Sequence, residues 1–403
     1  MAIQTPILVL AEGITALGAL RALARARLPA YTVPIQSPMV ARSRWHRPLV
    51  WGAEGPPSPE TLAQRLESAP PLPEAVLLPG SDDWARSAAR LPEALRRRFP
   101  VSVAGPQVLE RFIDKARFAR TLQEVGIAHP HTEEVDTPGK RDDVGRLVPD
   151  GGFLKPCDSA AFFRTFGVKA FSVNGRGELK DRLLQVQKAG LRVMVQEYIP
   201  GPASAHVFLD GFRDRHGRIT GLLVRRRLRM YPEDFGNSTL TVTVPAHEAQ
   251  GAVTALRTLL DALDYRGIFS AEFKEDPRDG RFKLLEVNPR AWWYVDFTAR
   301  CGVDVCQMAY RDALELPVPE VRAYRLGVRC IHPDHDVAAF RMARENNGAR
   351  PLSWFRPWVG AHQTVFALSD PGPALHMTTA ALRRRLTRFG FSRSVSPRSS
   401  EAR

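Results

Sequence analysis

Residues 268–290, IFSAEFKEDPRDGRFKLLEVNPR, read as two short strands joined by a tight polar turn. Cross-strand partners in a hairpin keep a constant index sum, so pairing the strands about Asp279 sets Glu272 opposite Glu286 and Lys274 opposite Leu284. Side chains alternate along a strand. Ser270, Glu272, Lys274, Glu286 and Asn288 are therefore expected on one face, and Phe269, Ala271, Phe273, Leu285 and Val287 on the other, core-facing one. Two carboxylates and an amide oxygen on one face are hard donors suited to Mg²⁺, and Arg290 just beyond adds a cation suited to phosphate. The pattern reads as a nucleotide-phosphate site; taken alone, E-x-N-P-R is equally an exposed hairpin with solvated charges.

The rest of the composition bounds the setting. A chain of 403 residues with 44% hydrophobic content has room for about two or three domains and a sizeable core. No apolar run approaches the length of a membrane span. The sequence opens without the basic start and long apolar stretch of a secretory signal, and Cys157, Cys301, Cys306 and Cys330 make no metal-type C-x-x-C spacing, so a reducing cytoplasm is expected. The net charge of +14 is concentrated: residues 211–230 hold seven Arg against one Asp, and residues 379–403 seven Arg against one Glu. Such clusters fit an acidic substrate, an anionic membrane surface or nucleic acid, and the missing aromatic interleaving of RNA-binding modules disfavours the last.

Residues 6–10, PILVL, form a buried-strand pattern, after which Ile14, Leu17, Leu20 and Leu23 recur at helical spacing. Gly13 and Gly18 do not make G-x-G-x-x-G, so they are assigned to a turn and to helix packing. Strands at 31–35, 75–79 and 101–104 alternate with helices near 59–68 and 82–98, giving an open α/β sheet. Ser81, Asp82 and Asp83 follow a strand, and capping of the next helix is favoured for them over substrate contact. A helix bearing Lys115 stops at Gly126, GGFLKP (151–156) is a short strand bearing Lys155, and LRVMVQEYIPG (191–201) runs into a Pro/Gly turn at Glu197. Two strands flank DRHG, the second carrying Arg225, Arg227 and Arg229 on one side and Arg226 on the other. A helix at 246–263 precedes the hairpin and another follows it. Trp292 and Trp293 are pocket wall or core, and HPDHD (332–336) reads as helix caps and solvated groups rather than a metal site. The final helix is basic and amphipathic, and residues 392–403 have a disordered composition.

The hairpin resembles the metal-binding end of the ATP-grasp superfamily, in which a Glu on one strand and a Glu-x-Asn on the next hold the magnesium ions of ATP. Glu272, Glu286 and Asn288 match those positions, and Arg290 matches the arginine that follows. Upstream, Lys115 and Lys155 fall where the family's two phosphate lysines lie. The segment Glu197, Tyr198 and Ile199 falls at the hinge whose backbone binds adenine, Glu197 being equally readable as a surface residue at a strand end. The family's glycine-rich phosphate lid is replaced by CDSAAFFRTFGVKAF, in which Ser159 and Lys169 are candidates for its contacts. Arg225 and Arg227 match a strand whose arginines hold the substrate carboxylate.

The resemblance covers residues 1–316. It implies an α/β and α+β architecture: a pre-ATP-grasp domain over 1–108, a small lobe over 109–195, a large lobe over 196–318, and a C-terminal extension over 319–403. It implies ATP and Mg²⁺, with Mn²⁺ as an alternative, and an ADP-forming carboxylate–amine ligase acting through an acylphosphate on small-molecule substrates. The KAF and RMYPEDFGNST stretches look most like predicted ligases of the D-aspartate-ligase and carbamoyl-phosphate-synthase-like type. A carboxylase or phosphotransferase on the same site, and a non-catalytic basic binding protein, are the rival expectations. Weak membrane-surface contact by the basic tail and homo-oligomerisation are left open.

Overall fold

A computed structural model describes residues 4–33, 37–51, 58–68, 70–135, 151–157, 159–168, 170–232 and 236–380, apart from the side chains of residues 159–161 and 163. Lys169, the side chain of Ser159 and the tail at 392–403 lie outside the described residues. Among those described, strands form three sheets. Strands β1 (Ile7–Leu10), β2 (Ala30–Thr32) and β3 (Val76–Pro79) make a parallel sheet in the order β2-β1-β3. Strands β4 (Thr132–Val135), β5 (Gly152–Pro156), β6 (Phe171–Val173) and β7 (Val193–Glu197) make an antiparallel sheet in the order β4-β7-β5-β6. The largest contains β8 (His206–Arg213), β9 (Ile219–Tyr231), β10 (Asn237–Thr243), β11 (Gly267–Glu275), β12 (Phe282–Asn288), β13 (Arg329–Ile331) and β14 (His362–Gln363), in the order β12-β11-β8-β9-β10-β13-β14.

The first sheet differs from expectation in its margins. Residues 101–104 form no strand; Val101 and Val103 make isolated bridges to Leu77 and Gly267, because the chain there passes between two sheets. The helix expected over 82–98 is two, Asp82–Ala89 and Glu93–Arg98, since Pro92 has no N–H to continue the first. Gly18 lies against the later helix Val295–Arg300: a Cβ there would stand 3.1 Å from Val295 Cγ2, so glycine is what allows the close approach. One apolar core runs through this contact, joining Ile7 and Leu17 to Val295, Phe297, Met308 and, on the large sheet, Phe212 and Leu223.

The segment from 319 onward is built into the large sheet as β13 and β14. It is also tied to the first sheet's helix. Arg21 Nε donates to Asp370 Oδ2 (3.0 Å), and Asp370 accepts from Ser43 Oγ (2.8 Å) and Arg44 N–H (2.9 Å), with Arg21 and Asp370 both buried. Asp370→Ala would leave Arg21 as an uncompensated buried charge and is expected to cost about 3–5 kcal/mol, read as a lower midpoint in urea unfolding.

Candidate active site

A cavity of about 380 Å³ opens between the four-stranded and seven-stranded sheets. Its floor is the hairpin β11–β12, whose register sets Ser270 opposite Asn288 and Glu272 opposite Glu286. The turn closes at Gly280, whose φ of 66° is the left-handed conformation that favours glycine. Beyond Glu272 the register slips by one, so Lys274 opposes Lys283 rather than Leu284. This bulge overturns one expected facing: Leu284 is in the core, and Leu285, expected there, is half-buried and lines the cavity.

Glu272, Glu286 and Asn288 all line the cavity. Asn288 Nδ2 donates to Glu286 Oε1 (2.9 Å), and Asn288 Oδ1 accepts from Arg290 Nη2 (2.9 Å), which leaves the amide oxygen a second lone pair. Glu272 is the more enclosed carboxylate. Its Oε1 accepts from His206 Nδ1 (2.8 Å) and pairs with Arg227 Nη2 (3.0 Å). Burial would raise its pKa, but Arg227 and the His206 hydrogen bond outweigh that and hold it at about 2. Burial lowers the pKa of His206 in spite of Glu272, consistent with a neutral imidazole donating through Nδ1. The donor set, two carboxylates and an amide oxygen, fits Mg²⁺, which fills its remaining positions with water and substrate phosphate. Among the described residues no group of three or more His, Cys, Asp or Glu is placed to hold a metal ion by itself.

Two lysines face the floor. Lys115 is the first residue of the helix Lys115–Val125, which Asp114 caps by accepting from Arg117 N–H (2.9 Å) and which ends at the left-handed Gly126. A cation at a helix N-terminus opposes the helix dipole, and both it and the exposed N–H groups favour an anion there. Lys155 projects from β5 into the same cavity. Burial and the neighbouring Lys115 push its ammonium down to about 8, against the opposing pull of Glu286 and Glu272.

At the opposite end Glu197, Tyr198 and Ile199 line the cavity with Phe118, Phe153, Met194 and Leu285. Tyr198 packs edge-on to Phe153 at 5.8 Å. The Glu197 carboxylate accepts from His131 N–H (3.0 Å) and from Arg278 of the hairpin turn, so it latches the two sheets together. Lys274, with its ammonium 4.8 Å from the centre of the Tyr198 ring, donates to Ile199 O (2.6 Å).

The remaining predicted residues divide. Arg227 lines the cavity. Arg225 does not: it is 2% exposed, its Nε donates to Asp210 Oδ2 (2.6 Å), and its guanidinium lies between the rings of Phe208 (3.8 Å) and Tyr294 (4.3 Å). The expectation that Arg225 holds a substrate carboxylate fails because Tyr294 covers the shared face at that position. Arg290 stands just behind the lining, donating to Asp82 Oδ1 (2.8 Å) as well as to Asn288. Ser81 caps its helix as expected, yet Asp82 also reaches the cavity; strand β3 ends at the cleft, and that topology was the available signal. His206 was missed, since a lone histidine at a strand start carries no pattern. Trp292 is core, and Trp293 packs on His332 and His335. His332 caps the helix Pro333–Asn347, but Asp336 is fully buried rather than solvated, accepting from Arg229, Thr239, Trp354 and Trp358.

No protein-family profile matches the chain. Over 250 residues it is 24% identical to a D-aspartate ligase of Enterococcus faecium (strain Aus0004), a match covering 59% of this chain and 58% of that ligase. The chain thus spans under two thirds of that relative's length, and still less of the carbamoyl phosphate synthase chains it also matches. Its fold is shared with biotin carboxylase from Campylobacter jejuni, solved as a β-γ-ATP complex (TM-score 0.61, 14% identity, 81% of this chain and 74% of that one). It is shared equally with N5-carboxyaminoimidazole synthetase from Staphylococcus aureus complexed with ADP (TM-score 0.59, 14% identity, 81% and 82%). These relatives and solved structures all point to the ATP-grasp superfamily, whose fold this chain shares. No helix among the described residues is long and apolar enough to cross a membrane.

The depressed Lys155 makes anion binding sensitive to pH. An anion prefers the charged ammonium, so affinity for ADP should fall as pH rises through about 8, approaching about tenfold per unit above it if Lys155 alone titrates. Calorimetric titrations across that range should show the slope in the native protein and its loss in Lys155→Met.

Proposed function

We propose that the chain is an ADP-forming, ATP-dependent ligase that joins a small-molecule carboxylate to an amine in the cytoplasm. The observation that carries this reading is the cross-strand pair Glu272 and Glu286 on the floor of a cavity that Lys115 and Lys155 also line. The D-aspartate ligase among its relatives supports ligase chemistry. On this reading residues 1–108 form a pre-ATP-grasp domain, 109–195 and 196–318 are the two lobes around the nucleotide, and 319–403 is an extension.

Each residue then has a task. Lys115 and Lys155 hold the phosphates as compact point charges. The backbone of Glu197, Tyr198 and Ile199 meets the adenine edge, and Phe153, Met194 and Leu285 offer it apolar walls. Glu272, Glu286 and Asn288 would hold Mg²⁺, or Mn²⁺ in its place, which neutralises the developing charge on the phosphates when bound. Arg227 holds the acid substrate, whose oxygen attacks the γ-phosphorus, while Arg290, just behind the lining, orients Asn288 and adds positive charge for the phosphates. The amine then displaces phosphate from the acylphosphate, and positioning with charge neutralisation supplies the catalysis. Arg225 takes no part in substrate contact; its ion pair with Asp210 stiffens the strand that carries Arg227.

Glu272→Gln and Glu286→Gln keep side-chain size and remove an anionic ligand. Each should lower ADP formation by more than about a hundredfold; thermal unfolding should be little changed in Glu286→Gln, whose side chain is exposed, and should come at a lower temperature in Glu272→Gln, which strips the buried Arg227 of its partner. Turnover is to be sought with a panel of carboxylates, bicarbonate included, crossed with amines; near-native ADP release by either variant would sink the assignment.

The route makes a second prediction. If the carboxylate itself attacks ATP, one of its oxygens leaves with inorganic phosphate, so carboxylate labelled with heavy oxygen should yield labelled phosphate. Unlabelled phosphate, or AMP with pyrophosphate, would point to a different activation step.

A further inference from the structure

Strand β9 carries an arginine at every second position from Arg225, and each is paired with a carboxylate from a different part of the chain. Arg225 pairs with Asp210 of β8 (2.6 Å), Arg227 with Glu272 of β11 (3.0 Å) and Arg229 with Asp336 of the helix Pro333–Asn347 (2.8 Å). Asp210 and Asp336 are fully buried and are further fixed, Asp210 by Ser270 Oγ (2.7 Å) and Asp336 by Thr239 and two indoles. Both carboxylates are closed to solvent, and neither Arg225 nor Arg229 lines the cavity. The middle pair differs, because Arg227 and Glu272 both line the cavity.

Glu272 is also the carboxylate placed to receive a metal ion. Arg227 and His206 converge on its Oε1, so a divalent cation arriving at this carboxylate meets a guanidinium already there. Two positive groups sharing one carboxylate repel each other, and the cost is relieved when an anion reaches Arg227. The guanidinium would not swing away, since Nε is anchored to Ser238 Oγ (2.8 Å).

We propose that Arg227 is an anion-binding residue masked by Glu272 until a metal ion occupies that carboxylate, so that metal and acid substrate bind with positive coupling. The inference rests on the metal role given to Glu272 in the proposed function. Coupling is reciprocal: if metal unmasks Arg227 for the anion, the anion must tighten the metal by the same factor. Without an anion, Arg227 weakens metal binding. The masked state would also keep the acid substrate from occupying the cleft ahead of the metal–nucleotide.

The test uses Mn²⁺ alone as the probe, its binding to the full chain without nucleotide followed by electron paramagnetic resonance. Arg227→Gln should bind Mn²⁺ about tenfold more tightly than the native protein, the scale set by removing one nearby charge. Arg226→Gln removes the same charge from the opposite face, where it pairs with Glu248, and should stay within about twofold. Sulfate at about 10 mM, as an anion probe, should tighten Mn²⁺ about threefold in the native protein and by clearly less in Arg227→Gln, where Lys115 and Lys155 alone remain to receive it. Should Arg227→Gln fail to fold, Arg227→Met serves: it removes the charge while keeping an unbranched side chain, and should also bind Mn²⁺ more tightly than native. Native-like or weaker Mn²⁺ binding in the folded Arg227 variant overturns the masking while leaving the site in place. No Mn²⁺ binding by any form removes the metal site and the proposed function with it.

Discussion

Two carboxylates directly opposite one another on a β-hairpin repel, and the cleft is arranged around that constraint. Glu272 and Glu286 hold such positions on β11 and β12. Arg227 and His206 balance Glu272 from β9 and β8, while Lys155 reaches towards both from the four-stranded sheet and Lys115 stands beside it. Asn288 donates to Glu286 and receives from Arg290, which is fixed in turn by Asp82 at the start of the helix that follows β3. Three sheets that share little sequence locality therefore meet at one pair of acids. An apolar pair at the same positions would be easier to fold, so the charge is placed for binding rather than for stability.

Much of this was legible because strand periodicity is strict. With the turn fixed, the pairing of Glu272 with Glu286 followed from counting, and the alternation placed Arg227 opposite in sense to Arg226. The limits have the same origin. A bulge costs one residue of register and sends no signal in the sequence, which is why Leu285 stands half-buried at the cavity while Leu284 is fully buried in the core. Alternation also says which side chains share a face but not what covers that face. Arg225 and Arg227 are equivalent by count, and Tyr294, more than sixty residues away, makes one inaccessible.

The residues missed share a different feature, in that their roles depend on contacts between distant segments. His206 is unremarkable at the start of β8 until β11 sets Lys274 opposite it and Glu272 beside it. Asp336 looked like one of several polar groups before a helix, yet it gathers an arginine, a threonine and two tryptophans at zero exposure. A carboxylate with that many donors is satisfied in the core, and no local pattern distinguishes it from a solvated cap.

The same long-range wiring gives residues from 319 onward a mechanical place beside the cavity. Strand β9 is gripped at its middle by Asp210 through Arg225 and near its C-terminal end by Asp336 through Arg229, and Arg227 lies between the two grips. Both flanking carboxylates are fully buried and accept several hydrogen bonds, and neither flanking arginine lines the cavity; the central arginine can respond to charge without the strand shifting. Rigid supports on either side of one accessible ion pair confine any change on ligand binding to the exchange of partners at Glu272. Residues from 319 onward, where the resemblance fades, thus help hold the one arginine of the three that faces the cavity.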